Sequence, residues 1–335
     1  MKRWIGLILI AVLWGYGAIL AWTMKDAGNQ VFLYCGEGSA VEAEQISQAL
    51  EREQEQGREM PPEISAWSRT EKVKVMNPVL GRSEEADCII VYGHKEMASY
   101  RRLLGGTYGY RSDQDGCVIS SGLAMELFGG PDVTGTYIWC REKAYRIQGV
   151  TDDSSLVILL PAKAKDAMRF MLLTRTDYAG METGKTAAER FLYRNGIHSG
   201  KVLVDGTYFS SAAGFGICLP LWMMPLRALT AFSSRRERKV ERGREIRGCI
   251  LAAVFFLAGT FLAWKLELKI PADLIPSRWS DFEFWARRIE ELWLDMAATG
   301  EAGAVRWLAQ LKGRLALCLI CSLSGGAGGI MWRRT

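Results

Sequence analysis

Histidine is almost missing from this chain. Its 335 residues hold two, His94 and His198, far apart and without a ligand-spaced neighbour. A histidine-based zinc site is therefore not expected. The chain has no Gly-x-Ser-x-Gly elbow, the sharp turn that exposes a nucleophilic serine. It has no internal repeat and no low-complexity tract. Asp152 and Asp153 read as a solvated turn. Four of the eight cysteines, Cys35, Cys88, Cys117 and Cys140, lie outside the long apolar runs. They are 53, 29 and 23 residues apart, which leaves no C-x₂₋₄-C pair to hold a metal. Three of the four sit in strand-like runs (FLYC, DCIIVY, GCVIS), so buried thiols are favoured over disulfides. The C-x-x-C pair Cys318 and Cys321 lies inside an apolar run, where cysteine acts as a small apolar residue, as do Cys218 and Cys249. The segment Ala179–Thr186, AGMETGKT, matches a relaxed phosphate-binding loop. Its first glycine is replaced by Ala179, and no apolar strand ending in Asp supplies a second magnesium ligand. No catalytic, cofactor or metal residue is nominated, and no enzyme is expected.

What is present is apolar length. Trp4–Trp22, about Tyr208–Leu229, Cys249–Leu266 and about Leu315–Trp332 approach the roughly 20 residues that cross a bilayer as helix. The first run carries no charge and exceeds a signal-peptide core, so an uncleaved span is expected. The second holds Pro220 and Pro225, which predict a kink, and Arg227 near its end. These runs predict an α-helical membrane protein with four transmembrane helices and an α+β extracytoplasmic domain between helices one and two. The expected organisation is helix one at 1–24, the outer domain at 25–205, helix two at 206–232, a basic loop at 233–247 and helix three at 248–267. An external loop at 268–312 and helix four with its tail at 313–335 complete it.

Orientation follows from basic residues. The loop Ser233–Arg247 carries seven Arg or Lys against three Glu; Lys2 and Arg3 start the chain and Arg333 and Arg334 end it. Four spans put these segments on one side, which the positive-inside rule makes cytoplasmic. The expected location is thus a cell membrane, with the large segment facing outward. The formal charge of +5 comes largely from these segments, and nucleic acid is not an expected partner.

The outer segment reads as α+β. Predicted strands are Val31–Tyr34, Val73–Met76, Cys88–Tyr92, Gly116–Ser120, Tyr137–Cys140, Tyr145–Val150, Leu156–Leu160 and Arg169–Thr174, short and rich in β-branched and aromatic residues. Predicted helices are Ser39–Gln56, Ser121–Phe128, Ala162–Ala167 and Thr186–Arg194, the last stopped by Asn195-Gly196.

The run Gly106–Val150, GTYGYRSDQDGCVISSGLAMELFGGPDVTGTYIWCREKAYRIQGV, resembles the periplasmic core domain of MacB/FtsX-type ABC transporter permeases. The resemblance is carried by Ile119, Ser120, Leu123, Ala124, Leu127, Phe128, Gly129, Asp132, Gly135, Ile147, Gly149 and Val150. In this pattern a strand ending in Ser meets a short helix, then a turn, then a strand ending V-x-G-V. The roles of Ser120, Leu127, Phe128, Gly129, Gly135, Gly149 and Val150 are structural. Ser121 is a candidate cap for the helix, Gly129 and Gly130 suit its stop, and Asp132 to Gly135 form a turn.

The resemblance implies a permease-type subunit coupling a cytoplasmic ABC ATPase to movement of the outer domain, with a second permease chain and the lipid bilayer as further partners. The candidate ATPase-facing residues are Arg235, Arg236, Arg238, Lys239 and Arg242. This loop is more strongly charged than the family's coupling segment, so a second reading stays open: an accessory or sensor protein whose outer domain binds a peptide, envelope component or partner. In the last run Gly325 and Gly329 have small-xxx-small spacing. In the external loop Ser280 and Glu283 form a candidate capping box. Phe282, Trp285, Ile289, Leu292, Trp293 and Met296 recur at helical spacing there. That apolar face suits either the outer membrane–water interface or packing against the outer domain.

Overall fold

The structure is a computed structural model describing the chain except residues 1, 37–39, 58–59, 100, 176–182, 198–199, 235–241, 277, 279, 303–304 and 332–335. In chain order the elements are α1 (Lys2–Thr23), β1 (Gln30–Tyr34), β2 (Val41–Glu42), α2 (Ala43–Gln56), β3 (Glu63–Asn77), β4 (Arg82–Tyr92) and β5 (Leu103–Gly106). Then come β6 (Gly116–Ser120), α3 (Ser121–Phe128), β7 (Tyr137–Cys140), β8 (Lys143–Thr151), β9 (Val157–Pro161), β10 (Ala167–Met168), β11 (Phe170–Thr174), α4 (Gly184–Arg194) and β12 (Lys201–Asp205). The chain ends with α5 (Gly206–Ser234), α6 (Arg242–Lys265), α7 (Phe284–Ala298) and α8 (Arg306–Met331).

Two compact units form. One comprises Asn29–Asp205 with Pro276–Ala309; the other comprises Met1–Gly28, Gly206–Ile275 and Gln310–Thr335.

The first unit is built on a sheet of ten strands. Part of it closes on itself: β3 pairs β4, β4 pairs β9, β9 pairs β6, β6 pairs β8, β8 pairs β7, and β7 returns to β3. Closure removes the open edges that a flat sheet would expose. β3 makes this possible. Its first half pairs β11, its register shifts between Thr70 and Val73, and Val75 and Met76 then pair β7. Lys72, at φ +51°, lies in that irregularity, and a bulge of this kind bends a strand. Beyond β11 the sheet continues to β1 and β12, so β12 and β1 form one edge of the unit.

The apolar faces of these strands and of α2, α3 and α4 share one core, with Leu33, Ile46, Ile64, Ile119, Leu123, Leu127, Ile138 and Ile147 fully buried. The outer face of the β1–β11–β3 layer carries a second, aromatic cluster. Phe32 stacks on Trp67 at 5.5 Å and on Phe170 at 6.0 Å. The 276–309 segment belongs to the same layer: Trp67 Nε1 donates to Ala302 O (3.2 Å), Trp307 Nε1 to the Gln30 side chain, and Lys201 pairs Asp295 (2.5 Å).

The second unit holds α1, α5, α6 and most of α8. Small residues let backbones approach there. A Cβ on Gly17 would lie 2.8 Å from both Cys321 Cβ and Ile217 Cδ1. Cys318 Sγ donates to Gly17 O (3.5 Å), Trp14 Nε1 donates to Ile217 O (3.2 Å), and the Ser322 hydroxyl donates to Gly216 O. Gly325 and Gly329 fall within α8, in a stretch whose surroundings lie outside the described residues.

The expected class of four-span α-helical membrane protein is overturned. The chain is α+β with a barrel-like sheet. Among the described residues two segments, Ile8–Asn29 and Gly248–Lys265, are long and apolar enough to cross a membrane. The second and fourth apolar runs do form helices, α5 and α8, but length and composition do not separate a protein-packed helix from a membrane-crossing one. Ala213, Ile217 and Cys218 of α5 and Leu311, Cys318 and Cys321 of α8 are buried inside the protein. α8 also carries Arg306, Lys312 and Arg314 in its first turns.

Smaller corrections have local causes. The predicted helix 162–167 is a turn followed by β10: Asp166 accepts from Lys163 N (2.8 Å) while its own N–H donates to Lys163 O (3.0 Å). The cap of α3 is Ser120, not Ser121. α7 starts at Phe284 after Glu283, so Ser280 caps nothing.

Candidate functional site

The family-like run folds into one wall of the barrel. Ser120, fully buried at the end of β6, accepts from Leu123 N (3.2 Å) and from Val157 N (3.0 Å). It thereby caps α3 and ties the helix to β9. Leu127 is fully buried and Phe128 packs against the core. Gly129 ends α3 at φ +83°, where its N–H donates to Met125 O (2.8 Å). Gly135, at φ +90°, donates to Ile147 O (2.7 Å). Gly149 sits where a Cβ would come within 2.5 Å of Thr107 O, and Val150 is fully buried beside it. These residues place strands and turns; they present no reactive group.

A buried lysine and a half-buried aspartate that no sequence pattern marks lie at the start of β6. Lys95 is 4% exposed and donates from Nζ to Gly116 O (2.9 Å). Burial pushes its amine below the ordinary lysine range, against the pull of Asp113. Asp113 accepts from Asp115 N (2.9 Å), from Gly116 N (3.0 Å) and from the Gln148 side chain. The Asp115 N–H first of all, with Gln148, Lys95 and Gly116 adding, holds this carboxyl below the usual carboxylate range. No sequence motif marks Lys95; it follows His94 in an ordinary polar stretch.

A depressed carboxylate stabilises the fold above its unfolded pKa and loses that contribution as pH falls through the folded value. Asp113→Asn is therefore expected to cost about 1 kcal/mol at pH 7, screening by solvent already discounted. The difference should close in acid. Urea midpoints of both proteins across pH would show it; a pH-independent gap would refute this role.

The domain thiols are Cys35, Cys88, Cys117 and Cys140, all buried and free. Burial pushes Cys35 up to about 11 and Cys88 up to about 12, and raises Cys117 and Cys140 as well. The thiolate is the reactive form, so these groups are chemically quiet. Iodoacetamide at pH 8 is expected to modify the exposed Cys249 in the native protein and these four only after denaturation. Native modification of any of the four would contradict the burial. Among the described residues no group of three His, Cys, Asp or Glu side chains could hold a metal ion. His94 instead pairs Glu63 (2.7 Å), and His198 lies outside the described residues.

Of the loop AGMETGKT, residues 179–182 lie outside the described residues. The remainder starts α4: Thr183 caps it by accepting from Thr186 N (3.4 Å), and Lys185 pairs Glu189 (3.9 Å). Arg235, Arg236, Arg238 and Lys239 lie outside the described residues, as does the side chain of Arg242.

The barrel also presents an exposed apolar tip. Val79 is 87% exposed, and Met76, Leu80, Tyr137 and Trp139 are exposed with it. Met76 and Trp139 are paired across β3 and β7. The tip is fixed from beneath by Asn77, fully buried, whose Oδ1 accepts from Val79 N (3.0 Å) and Leu80 N (3.2 Å) and whose Nδ2 donates to Leu127 O (3.1 Å). Asn77-Pro78 and Gly81, the latter at φ +66°, are the turn-type residues that shape it.

No protein-family model matches the chain, and no curated protein does. Solved structures similar to it include the periplasmic region of MacB from Actinobacillus actinomycetemcomitans, 13% identical over 54% of this chain and 91% of that one, with a TM-score of 0.40. Another is the extracellular domain of the noncanonic ABC-type transporter YknZ from Gram-positive bacteria, 12% identical over 52% and 99%, TM-score 0.38. A third is a domain assigned to a permease protein from Porphyromonas gingivalis, 17% identical over 51% and 85%, TM-score 0.36.

Proposed function

We propose that this chain is a permease-type subunit of an ABC system, held in a bacterial membrane by apolar helices and carrying a MacB-like outer domain that a cytoplasmic ATPase moves. In this reading the chain has no catalytic role of its own; it transmits motion. The observation that carries it is the way the outer domain is strung. The Gly106–Val150 run forms a rigid wall of that domain, and the strands β1 and β12, which receive the chain from α1 and pass it to α5, are hydrogen-bonded neighbours, with Val31 opposite Asp205. A displacement of the helices then reaches a stiff body at one place, as a rigid-body switch requires.

The polarity of the helices supports an outer location for the domain. Lys25 at the end of α1 pairs Glu267 just after α6, so these two helices end together. Lys25 lies 5.7 Å from the Trp22 ring and Lys265 lies 5.0 Å from the Trp264 ring, an arrangement suited to a membrane–water interface. The opposite ends carry Lys2 and Arg3, and Arg242, Arg244 and Arg247, which suits a cytoplasmic side. Outward faces of Ile8, Val12 and Ile19 on α1 and of Ile250, Val254, Leu257 and Phe261 on α6 are exposed, an apolar surface that calls for lipid or protein cover.

ATPase coupling is tested at the basic loop. Replacing Arg235, Arg236, Arg238 and Lys239 together by Ala is expected to cut co-purification of an ABC ATPase from native membranes about tenfold, near 1.4 kcal/mol. Unchanged association with altered membrane orientation would favour the second reading, a non-transporting accessory or sensor protein. The exposed apolar tip at Val79, Leu80, Tyr137 and Trp139 favours that reading, because rigid apolar surface of this kind is a docking feature.

A further inference from the structure

Helix α7 has two faces of different fate. Arg288, Leu292, Asp295 and Thr299 recur at helical spacing on the partly or fully buried side, where Asp295 takes the Lys201 ammonium of β12. Beside that face runs a stripe of Phe282, Trp285, Ile289 and Trp293, with Phe282 89% and Trp293 72% exposed. We propose that this stripe is seated in the headgroup region of a lipid bilayer.

The occupant follows from position and size. α7 lies against β12, the strand that runs directly into α5, and β12 is paired with β1, whose chain arrives from Trp22 and Lys25. The stripe is therefore borne by the edge through which the domain is joined to the apolar helices. Its exposed area is about 500 Å², taking roughly 200 Å² per aromatic side chain. That is well below the roughly 800 Å² that each partner gives to a standard protein interface, so a second copy of this chain is a poor cover. A bilayer needs no such complementary surface, and tryptophan suits its interface. Asp281, Glu283, Glu290, Glu291 and Asp295 outnumber Arg278, Arg287 and Arg288, so the contact is apolar insertion rather than attraction to anionic headgroups.

This inference rests on the membrane location proposed above and is independent of an ATPase. The test uses the full chain with Cys249→Ser, reconstituted in phosphatidylcholine vesicles. Nitroxide labels are placed singly through Ile289→Cys, Glu290→Cys and Leu257→Cys. Collisions with oxygen, which partitions into lipid, are compared with collisions with a water-soluble nickel chelate. The Ile289 label is expected to favour oxygen severalfold more than the Glu290 label, which lies about 100° further round α7. Free access of the nickel chelate to the Ile289 label would overturn the inference, and so would exclusion of both reagents, which would mean protein cover. The Leu257 label on α6 separates the two readings. If it reports lipid while the Ile289 label reports water, only the docking of α7 fails; if it too reports water, the membrane location fails with it.

Discussion

Trp67→Ala is expected to lower the stability of the sheet-bearing unit, Asn29–Asp205 with Pro276–Ala309, by about 4 kcal/mol, within the range for deleting a buried aromatic side chain. Trp67 is fully buried at the centre of the aromatic layer, stacked on Phe32 and tilted against Phe170 at 6.4 Å. It is also the indole whose Nε1–H reaches Ala302 O, so its loss frees a buried acceptor and unties the 276–309 segment. Trp67→Phe separates the two effects: it keeps most of the stacking and gives up the hydrogen bond, at about 1 kcal/mol. Urea unfolding of the full chain, followed by near-ultraviolet circular dichroism, measures both. Limited proteolysis adds a specific readout, since early cleavage within 276–309 is expected in Trp67→Ala. An unchanged urea midpoint would show that the aromatic layer is not a stabilising element.

Ser120→Ala is the second large effect, at about 3 kcal/mol. One hydroxyl oxygen serves two backbone donors, Leu123 N and Val157 N, at a site with no access to water. Loss of a helix cap costs about 1 kcal/mol, and an unsatisfied buried donor adds about 1–3 kcal/mol. Ser120→Thr keeps the oxygen and isolates the steric cost of a methyl group in the core. Amide hydrogen exchange at Leu123 and Val157 reads the mechanism directly: both should lose protection in Ser120→Ala. If only Leu123 does, the serine is a cap alone, and α3 is not tied to β9 through it.

The segment Asn29–Asp205 was the readable part of the sequence. Gly116–Ser120, Ser121–Phe128 and Tyr137–Cys140 match their elements because short apolar runs there are bounded by serine, glycine and paired charges. β5 was missed because Leu-Leu-Gly-Gly carries little strand propensity. β12 was missed because its apolar run, Val202–Val204, is only three residues long and shows no alternation. The length of β3 was missed because its middle, Ser-Arg-Thr-Glu-Lys, is polar and irregular around Lys72. Closure of the barrel depends on β7 returning to β3 across some 60 residues, a pairing with no local signal. The four-span expectation erred in the other direction: it took every long apolar run as a crossing, although α5 and α8 each bury a stripe in protein. In the candidate site, the glycines and Ser120 were legible as a pattern. Lys95, Asp113 and Gln148 were not, since they meet only after β5, β6 and β8 have assembled.

The pairing of β1 with β12 sets how the domain meets a load. The two strands are antiparallel, and the ends joined to α1 and α5 lie at the same end of their ladder, Val31 opposite Asp205. A pull that parts those ends would open the ladder like a zipper, one pair at a time, and the irregularity between Phe32 and Leu33 lies one step further in. A push shared by both ends loads the ladder as a unit and carries the barrel with it. The β1–β12 ladder is therefore stiff to motion shared by both ends and compliant to their separation.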